Sequence, residues 1–230
     1  MKRSEINAIL RAGSAFFKMN GFLLPPFSTF TQQQWESNHP NAKEILDLKL
    51  GWDITCFGGN DFYSTGLLLF TLRNGALHSD IYYKPYAEKI MMVHEQQVTP
   101  RHFHWNKCED IINRGGGNLV IEVWKADKKN QLTEQSFSMS VNGIKKQFDP
   151  GHKFILPPGH SVCFEPRIAH CFYGEKGSGP VLVGEVSMVN DDSNDNCFID
   201  NHQRFDTIEE DEDPLYYLTT DYEQFQHNYI

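Results

Sequence analysis

The stretch RHFHWNKCEDIINRGGG, residues 101–117, sets two imidazoles one residue apart and an acid five residues after the second. Imidazole nitrogens and a carboxylate oxygen are donors that a divalent transition ion takes, and three or four of them leave positions open to a substrate. On a strand, residues two apart point the same way, so His102 and His104 share a face. A tight hairpin centred on Asn106-Lys107 pairs His104 with Glu109 and Phe103 with Asp110. Residues opposite each other in antiparallel strands share a face, so this register selects Glu109 over Asp110. A fourth donor has three candidates, His152, His160 and His170. His160 sits in the turn PPGH, where solvent contact is expected. His170 sits in IAHCFYG, with Ile168 and Phe172 on its side of a strand, and is favoured.

Strands must position these donors. From Leu67 to Met188 the chain reads as short β-branched and aromatic segments: LLLFTL, EKIMMV, QVTPRHFHW, NLVIEVW, SFSMSV, HKFILP, SVCFE, AHCFYG and PVLVGEVSM. Turn signals such as RNG, RGGG, NG, DPG and GSGP separate them. Many short strands without strand–helix alternation predict an all-β sandwich or small barrel. Ahead of them, Ser4 is placed to cap a helix that Gly21 ends, with Ile6, Ile9, Leu10, Phe16 and Phe17 on one face. A second short helix is expected from Pro40 to Leu48. After Met188 the chain turns polar, and TIEEDEDP reads as a solvated acidic loop. The aromatic tail after it is expected to pack on the domain or on a partner chain. The resulting division is a helical extension over 1–66, a β core over 67–190, and an acidic and aromatic extension over 191–230 of the same domain.

Composition narrows the classes of function. A formal net charge of −9 disfavours nonspecific binding to nucleic acid or an anionic membrane. The five cysteines contain no C-x-x-C pair and read as free thiols of a reducing compartment. The N-terminus does not read as a signal peptide, and no apolar run approaches the ~20 residues of a membrane span. A cytoplasmic protein is expected. Aromatics at 13% suit strands and a barrel interior. The aromatic extensions must be buried somewhere, which makes a homodimer the expected assembly.

The spacing His102-x-His104, four residues, Glu109, six residues, Gly116 resembles the first motif of the cupins, with Gln96 where that motif begins on glycine. Gly159 and His170 are eleven apart, as in the second cupin motif. There Pro166 is displaced by one, the inner glycine is missing, and Gly174 holds the asparagine position. Over nearly the whole chain the sequence is similar to the D-lyxose isomerase family of cupins. KEILDLKLGWDIT (43–55), VTPRHFHWNKCEDIINRGGGNLVIEVW (98–124) and EVSMVNDDSNDN (185–196) carry that likeness. The resemblance implies a cupin-type jelly-roll barrel with N- and C-terminal extensions, in which His102, His104, Glu109 and His170 bind one Mn²⁺. It implies an aldose–ketose isomerase for the monosaccharide pairs D-lyxose/D-xylulose and D-mannose/D-fructose, working through a metal-stabilised enediol. Two other readings use the same ligands: an iron or nickel cupin dioxygenase, and a non-catalytic sugar-binding cupin.

An isomerase also needs a base that moves a proton between C1 and C2, and a group that shuttles the hydroxyl proton. Glu185 alternates with Val181 and Val183, and a carboxylate on such a face is rare unless paired or functional. It is the candidate base. Lys107 at the hairpin tip is a candidate donor to a sugar hydroxyl, or else an exposed turn lysine. Lys89 within EKIMMV either points into a polar cavity, as a substrate-binding group, or snorkels at an edge. Arg204 is a candidate clamp for substrate hydroxyls, or a surface ion pair. Trp105 and Trp124 read as packing residues.

Overall fold

Strands with one apolar face must close that face against another layer. The computed structural model describes residues 1–38, 41–191, 194–200, 202 and 207–226, and within them two antiparallel sheets do this. The larger sheet runs β1 (Gly51–Thr55), β2 (Leu67–Arg73), β3 (Tyr86–Val93), β12 (Val181–Met188), β5 (Glu109–Gly116), β10 (Ser161–Phe164), β7 (Phe137–Val141) and β8 (Ile144–Phe148). The smaller runs β13 (Cys197–Phe198), β4 (Thr99–Phe103), β11 (Ile168–Gly174), β6 (Leu119–Lys125) and β9 (His152–Leu156). Leu69, Met91, Ile111 and Val183 of the first sheet share one buried core with Ile121, Val123 and Phe172 of the second. This is a jelly roll of cupin type, all-β at its centre, with two facing sheets rather than one closed barrel. Each such aliphatic side chain taken out of water contributes about 1.5–3 kcal/mol.

The hairpin expected over 105–108 does not form. β4 pairs with β11 and β13 in the small sheet, whereas β5 pairs with β12 and β10 in the large one. Residues 104–108 therefore cross from one sheet to the other. The glycines expected to form a turn are partly inside a strand. β5 continues to Gly116, whose φ is +80° and where a Cβ would stand 2.3 Å from the Pro180 carbonyl oxygen.

Helix α1 (Arg3–Met19) covers the outer face of the large sheet, and the expected stripe packs there: Ile6, Leu10 and Phe17 lie against Trp52, Leu68 and Phe70. Gly21, at φ +73°, donates to the Lys18 carbonyl and ends the helix in the left-handed conformation. The N-cap is Lys2 rather than Ser4. The expected second helix is shorter, α3 (Lys43–Asp47), and a separate α2 (Gln32–Asn38) precedes it around buried Trp35. The extension is also not wholly helical, because β1 pairs with β2 at the edge of the large sheet. All five cysteines are free thiols. No helix among the described residues is long and apolar enough to cross a membrane.

The acidic run 209–213 is exposed, as expected of a solvated loop, but it is not free. It docks on the first turn of α1. Arg3, 2% exposed, donates to both oxygens of Glu210 at 2.7 and 2.6 Å and to Asp221 at 3.1 and 2.9 Å. Asp211 accepts from the Ser4 amide and hydroxyl at 2.8 and 2.7 Å, and Asn7 donates to Glu212 and to the Asp213 carbonyl. Carboxylates at a helix N-terminus are favoured by its dipole and its unpaired amides. The tail then packs on its own chain, with Tyr222 donating to the Leu50 carbonyl at 2.7 Å and lying against Trp35.

Two outcomes are expected. Arg3→Ala leaves carboxylates without their partner and lowers stability by about 2–3 kcal/mol, below the full cost of a buried pair because Glu210 is 56% exposed. Calorimetry checks this, and an unchanged Tm contradicts it. Acid should release the same contact. Hydrogen bonds from Arg3 and from Ser4 hold the Glu210 and Asp211 carboxyls below their ordinary values. Lowered carboxyl values give stability that is complete above about pH 4–4.5 and lost as pH falls below it. Amide exchange of residues 2–5 and 207–213 should rise there. Protection that persists at lower pH would show that the charges do not hold the tail.

Candidate metal centre and proton-transfer site

The donors meet between the sheets by way of three elements. His102 on β4 lies directly opposite His170 on β11, so the two imidazoles share the inner face with ring centroids 4.5 Å apart. Glu109 opens β5 on the same parity as buried Ile111, which sends its carboxylate inward and Asp110 outward, opposite Cys163. The ligating atoms of His102, Glu109 and His170 all lie within 4.8 Å of one another. His170 Nε2 is 3.1 Å from Glu109 Oε1, and His104 Nε2 is 3.3 Å from Oε2. His104 stands at the edge of the group, its ring centroid 6.3 Å from that of His170.

Backbone carbonyls set the tautomers. His102, His104 and His170 each turn Nδ1 to a carbonyl oxygen, of Pro100 at 2.8 Å, Asp195 at 2.7 Å and Ile168 at 3.2 Å. A carbonyl can only accept, so Nδ1 carries the proton and the Nε2 lone pair is left for the site, as in metal-ligating histidines. His170 Nε2 is buried with no hydrogen-bond partner among the described residues, while its ring stacks on Phe164 at 4.0 Å. Burial, together with the charges of His170 and His104, keeps the His102 value well below that of an ordinary imidazole. Imidazole Nε2 atoms turned toward a carboxylate, one of them with no hydrogen-bond partner among the described residues, fit a borderline divalent ion.

A chain of alternating charges continues from Glu109. Lys107 Nζ is 2.8 Å from Glu109 Oε2 and 3.0 Å from Glu185 Oε1, and Lys89 Nζ is 3.3 Å from the same Glu185 oxygen. All four side chains are buried. Lys89 and Glu185 face each other in the register of β3 and β12, on the inward parity of Met91 and Val183. Burial alone would raise Glu185, but the charges of Lys107 and Lys89 outweigh it and hold the carboxyl below its ordinary value. Burial likewise opposes Glu109, and His104 and Lys107 hold it well below the carboxylate range. The ion-binding group and this chain line one and the same cavity, of about 50 Å³.

The family model for D-lyxose isomerase matches residues 1–222. The chain belongs to the D-lyxose isomerase family. Relatives named D-lyxose/D-mannose isomerase come from Escherichia coli O157:H7, 48% identical over 227 residues, and Serratia proteamaculans, 49% identical over 226. Each alignment covers 98% of this chain and nearly all of the relative, 100% and 99%. Solved structures of L-ribose isomerases from Acinetobacter sp. DL28 and Cellulomonas parahominis, each with L-ribose, superpose with TM-scores of 0.61 and 0.62. These alignments cover 91% of this chain and 98% of theirs; at 15% and 16% identity they show the shared fold. As a member of the D-lyxose isomerase family the chain is an aldose–ketose isomerase.

This cavity gathers most of the residues singled out from the sequence. His102, Glu109 and His170 converge, with His104 beside them, and Glu185, Lys89 and Lys107 line the same cavity. Lys107 is not an exposed turn lysine. The crossover buries it, because 104–108 runs between the sheets instead of around a tip. Arg204 lies outside the described residues. His152 and His160 are elsewhere, the first packed on Phe148 and the second bonded to Asn142. Trp105 and Trp124 pack in a small cluster outside the cavity. Asn190 was missed: its Oδ1 accepts from Lys89 and, at 3.5 Å, from Lys107. Thr99 was missed too. Its buried hydroxyl lines the cavity with no partner among the described residues.

Proposed function

We propose that this family member is a Mn²⁺-dependent isomerase that interconverts D-lyxose with D-xylulose and D-mannose with D-fructose. The observation that carries the reading is the buried Lys89–Glu185–Lys107 chain, which shares a cavity and a lysine with the donor group around Glu109. Its relatives are named for D-lyxose and D-mannose. A dioxygenase or a sugar-binding cupin has no need of a charged proton-transfer chain beside its ligands.

His102, His104, Glu109 and His170 would hold the ion. When bound, it supplies Lewis-acid polarisation of the sugar carbonyl and stabilises the negative charge that develops beside it. Glu185, kept ionised by its two lysines, takes the C2 proton of the open-chain aldose and returns it to C1. Lys107 gives a proton to O1 and recovers one from O2, so that the hydroxyl and carbonyl exchange places and no net proton is consumed. Lys89 holds Glu185 in place and donates to a substrate oxygen. Thr99 offers a further hydroxyl to the sugar, and Arg204 is assigned to clamp its distal hydroxyls. Carboxylates and ammonium groups buried together are dry enough for these interactions to be stronger than in water.

Protein stripped with chelator and refilled with Mn²⁺ should form ketose from both D-lyxose and D-mannose, with the stripped protein inactive. Absence of ketose from either sugar after refilling would contradict the assignment. The reading includes a cytoplasmic homodimer. The exposed side chains of Leu23, Ile81 and Tyr83 provide apolar surface for it, and light scattering at the mass of one chain would contradict it.

A further inference from the structure

The crossover 104–108 carries His104 at one end, leads into Glu109 at the other, and holds Lys107 between them. It belongs to no strand of either sheet. Its ends are held by backbone bonds, from the Arg167 amide to the His104 carbonyl at 2.9 Å and from the Met188 amide to the Cys108 carbonyl at 3.0 Å. Its middle is held by a residue 88 positions beyond Lys107.

Asp195, 8% exposed, accepts from the Asn106 amide and side chain through Oδ1 at 2.9 and 3.1 Å, and from the Lys107 amide through Oδ2 at 2.8 Å. Its own carbonyl accepts from His104 Nδ1 at 2.7 Å. Asp195 is itself anchored. Its amide donates to the Asp191 carbonyl at 2.9 Å, and two residues on, Cys197 and Phe198 pair with Phe103 and His102 as β13.

We propose that Asp195 is a positioning residue for the isomerase reading on which this inference rests. It sets His104 and Lys107 at once, and through them ties the ion-binding group to the proton-transfer chain. Its carbonyl fixes the His104 tautomer, and its carboxylate fixes the backbone from which Lys107 reaches Glu109 and Glu185. Hydrogen bonds to an ionised carboxylate are about twice as strong as neutral ones. A displacement of about 1 Å at a reacting group is enough to lower a rate by about 100-fold.

Asp195→Asn and Asp195→Ala test this, with Arg3→Ala as a control that loses stability away from the cavity. Asn keeps one acceptor but turns an amide donor toward the Lys107 N–H. Both variants should lower kcat and weaken Mn²⁺ binding by about 10- to 100-fold, the range for groups that orient metal ligands. Ala should lose more than Asn, and KM for D-mannose should change little. Arg3→Ala should lose Tm with kcat and the Mn²⁺ Kd retained. Crystal structures of both Asp195 variants should show Lys107 Nζ displaced, and His104 Nε2 with it, as the carbonyl of residue 195, kept in both variants, shifts once its side-chain anchor is lost. Side chains that stay in place, or kinetics that Arg3→Ala reproduces at an equal loss of Tm, would overturn the positioning role. Should the unaltered protein bind no Mn²⁺, the proposed metal dependence fails, and the two side-chain positions still decide the role of Asp195.

Discussion

Glu185→Gln is expected to lower kcat on D-lyxose and D-mannose by about 1,000-fold, within the range for loss of a general base. The placement of the carboxylate is the cause. Inward parity on β12 brings it between Lys107 and Lys89, which hold it ionised against burial. Gln keeps the volume and a carbonyl acceptor for both ammonium groups, so the fold and the donor group should survive. The Mn²⁺ Kd should stay within a few-fold of the original, and exchange of the sugar's C2 proton with solvent should fall with kcat. Turnover that survives with C2 exchange intact would remove Glu185 from the proton path.

Glu109→Gln should act on the ion instead. Glu109 supplies the negative charge in the donor group, between His170 at 3.1 Å, His104 at 3.3 Å and Lys107 at 2.8 Å. Without it, a cation would sit among neutral imidazoles beside an ammonium group. Groups that only orient metal ligands are worth about 10- to 100-fold in affinity, so loss of a charged ligand should weaken Mn²⁺ by about 100-fold or more. Isothermal titration measures this without turnover. An unchanged Kd would exclude Glu109 from the ligand set and leave it as the partner of Lys107 alone.

Local pattern carried more of the site than of the topology. Glu109 is inward because it alternates with Ile111, and Asp110 faces the other way for the same reason. The hairpin used to choose between them does not form. The segment WNKC looks like a two-residue turn, and only the pairing of β4 with β11 and of β5 with β12 makes it a crossover. That information lies more than 60 residues away. Glu185 and Lys89 were legible because a charge on an apolar-patterned strand needs a partner, and each proves to face the other.

The docking of the acidic run 209–213 was not legible for a similar reason. The run is exposed, as its charge predicts, and its partners Arg3, Ser4 and Asn7 come from the far end of the chain. β8 escaped because IKKQF is exposed along most of its length and shows no apolar alternation. Its trace was the turn before it, where Asn142 and Gly143 both take positive φ, as a two-residue hairpin requires. Asp195 and Asn190 are short polar residues in a polar stretch. Nothing local distinguishes a loop carboxylate that solvates itself from one that holds an active-site backbone.

The central claim is that three inward residues from three strands hold one divalent ion beside the lysine–carboxylate chain. Anomalous diffraction at the manganese edge from crystals grown with Mn²⁺ tests it most directly. The account expects one peak per chain, within bonding distance of Glu109 and of Nε2 of His102 and His170, with His104 drawn in as the remaining ligand. A peak elsewhere, or no peak with these donors left in contact with one another, would contradict it.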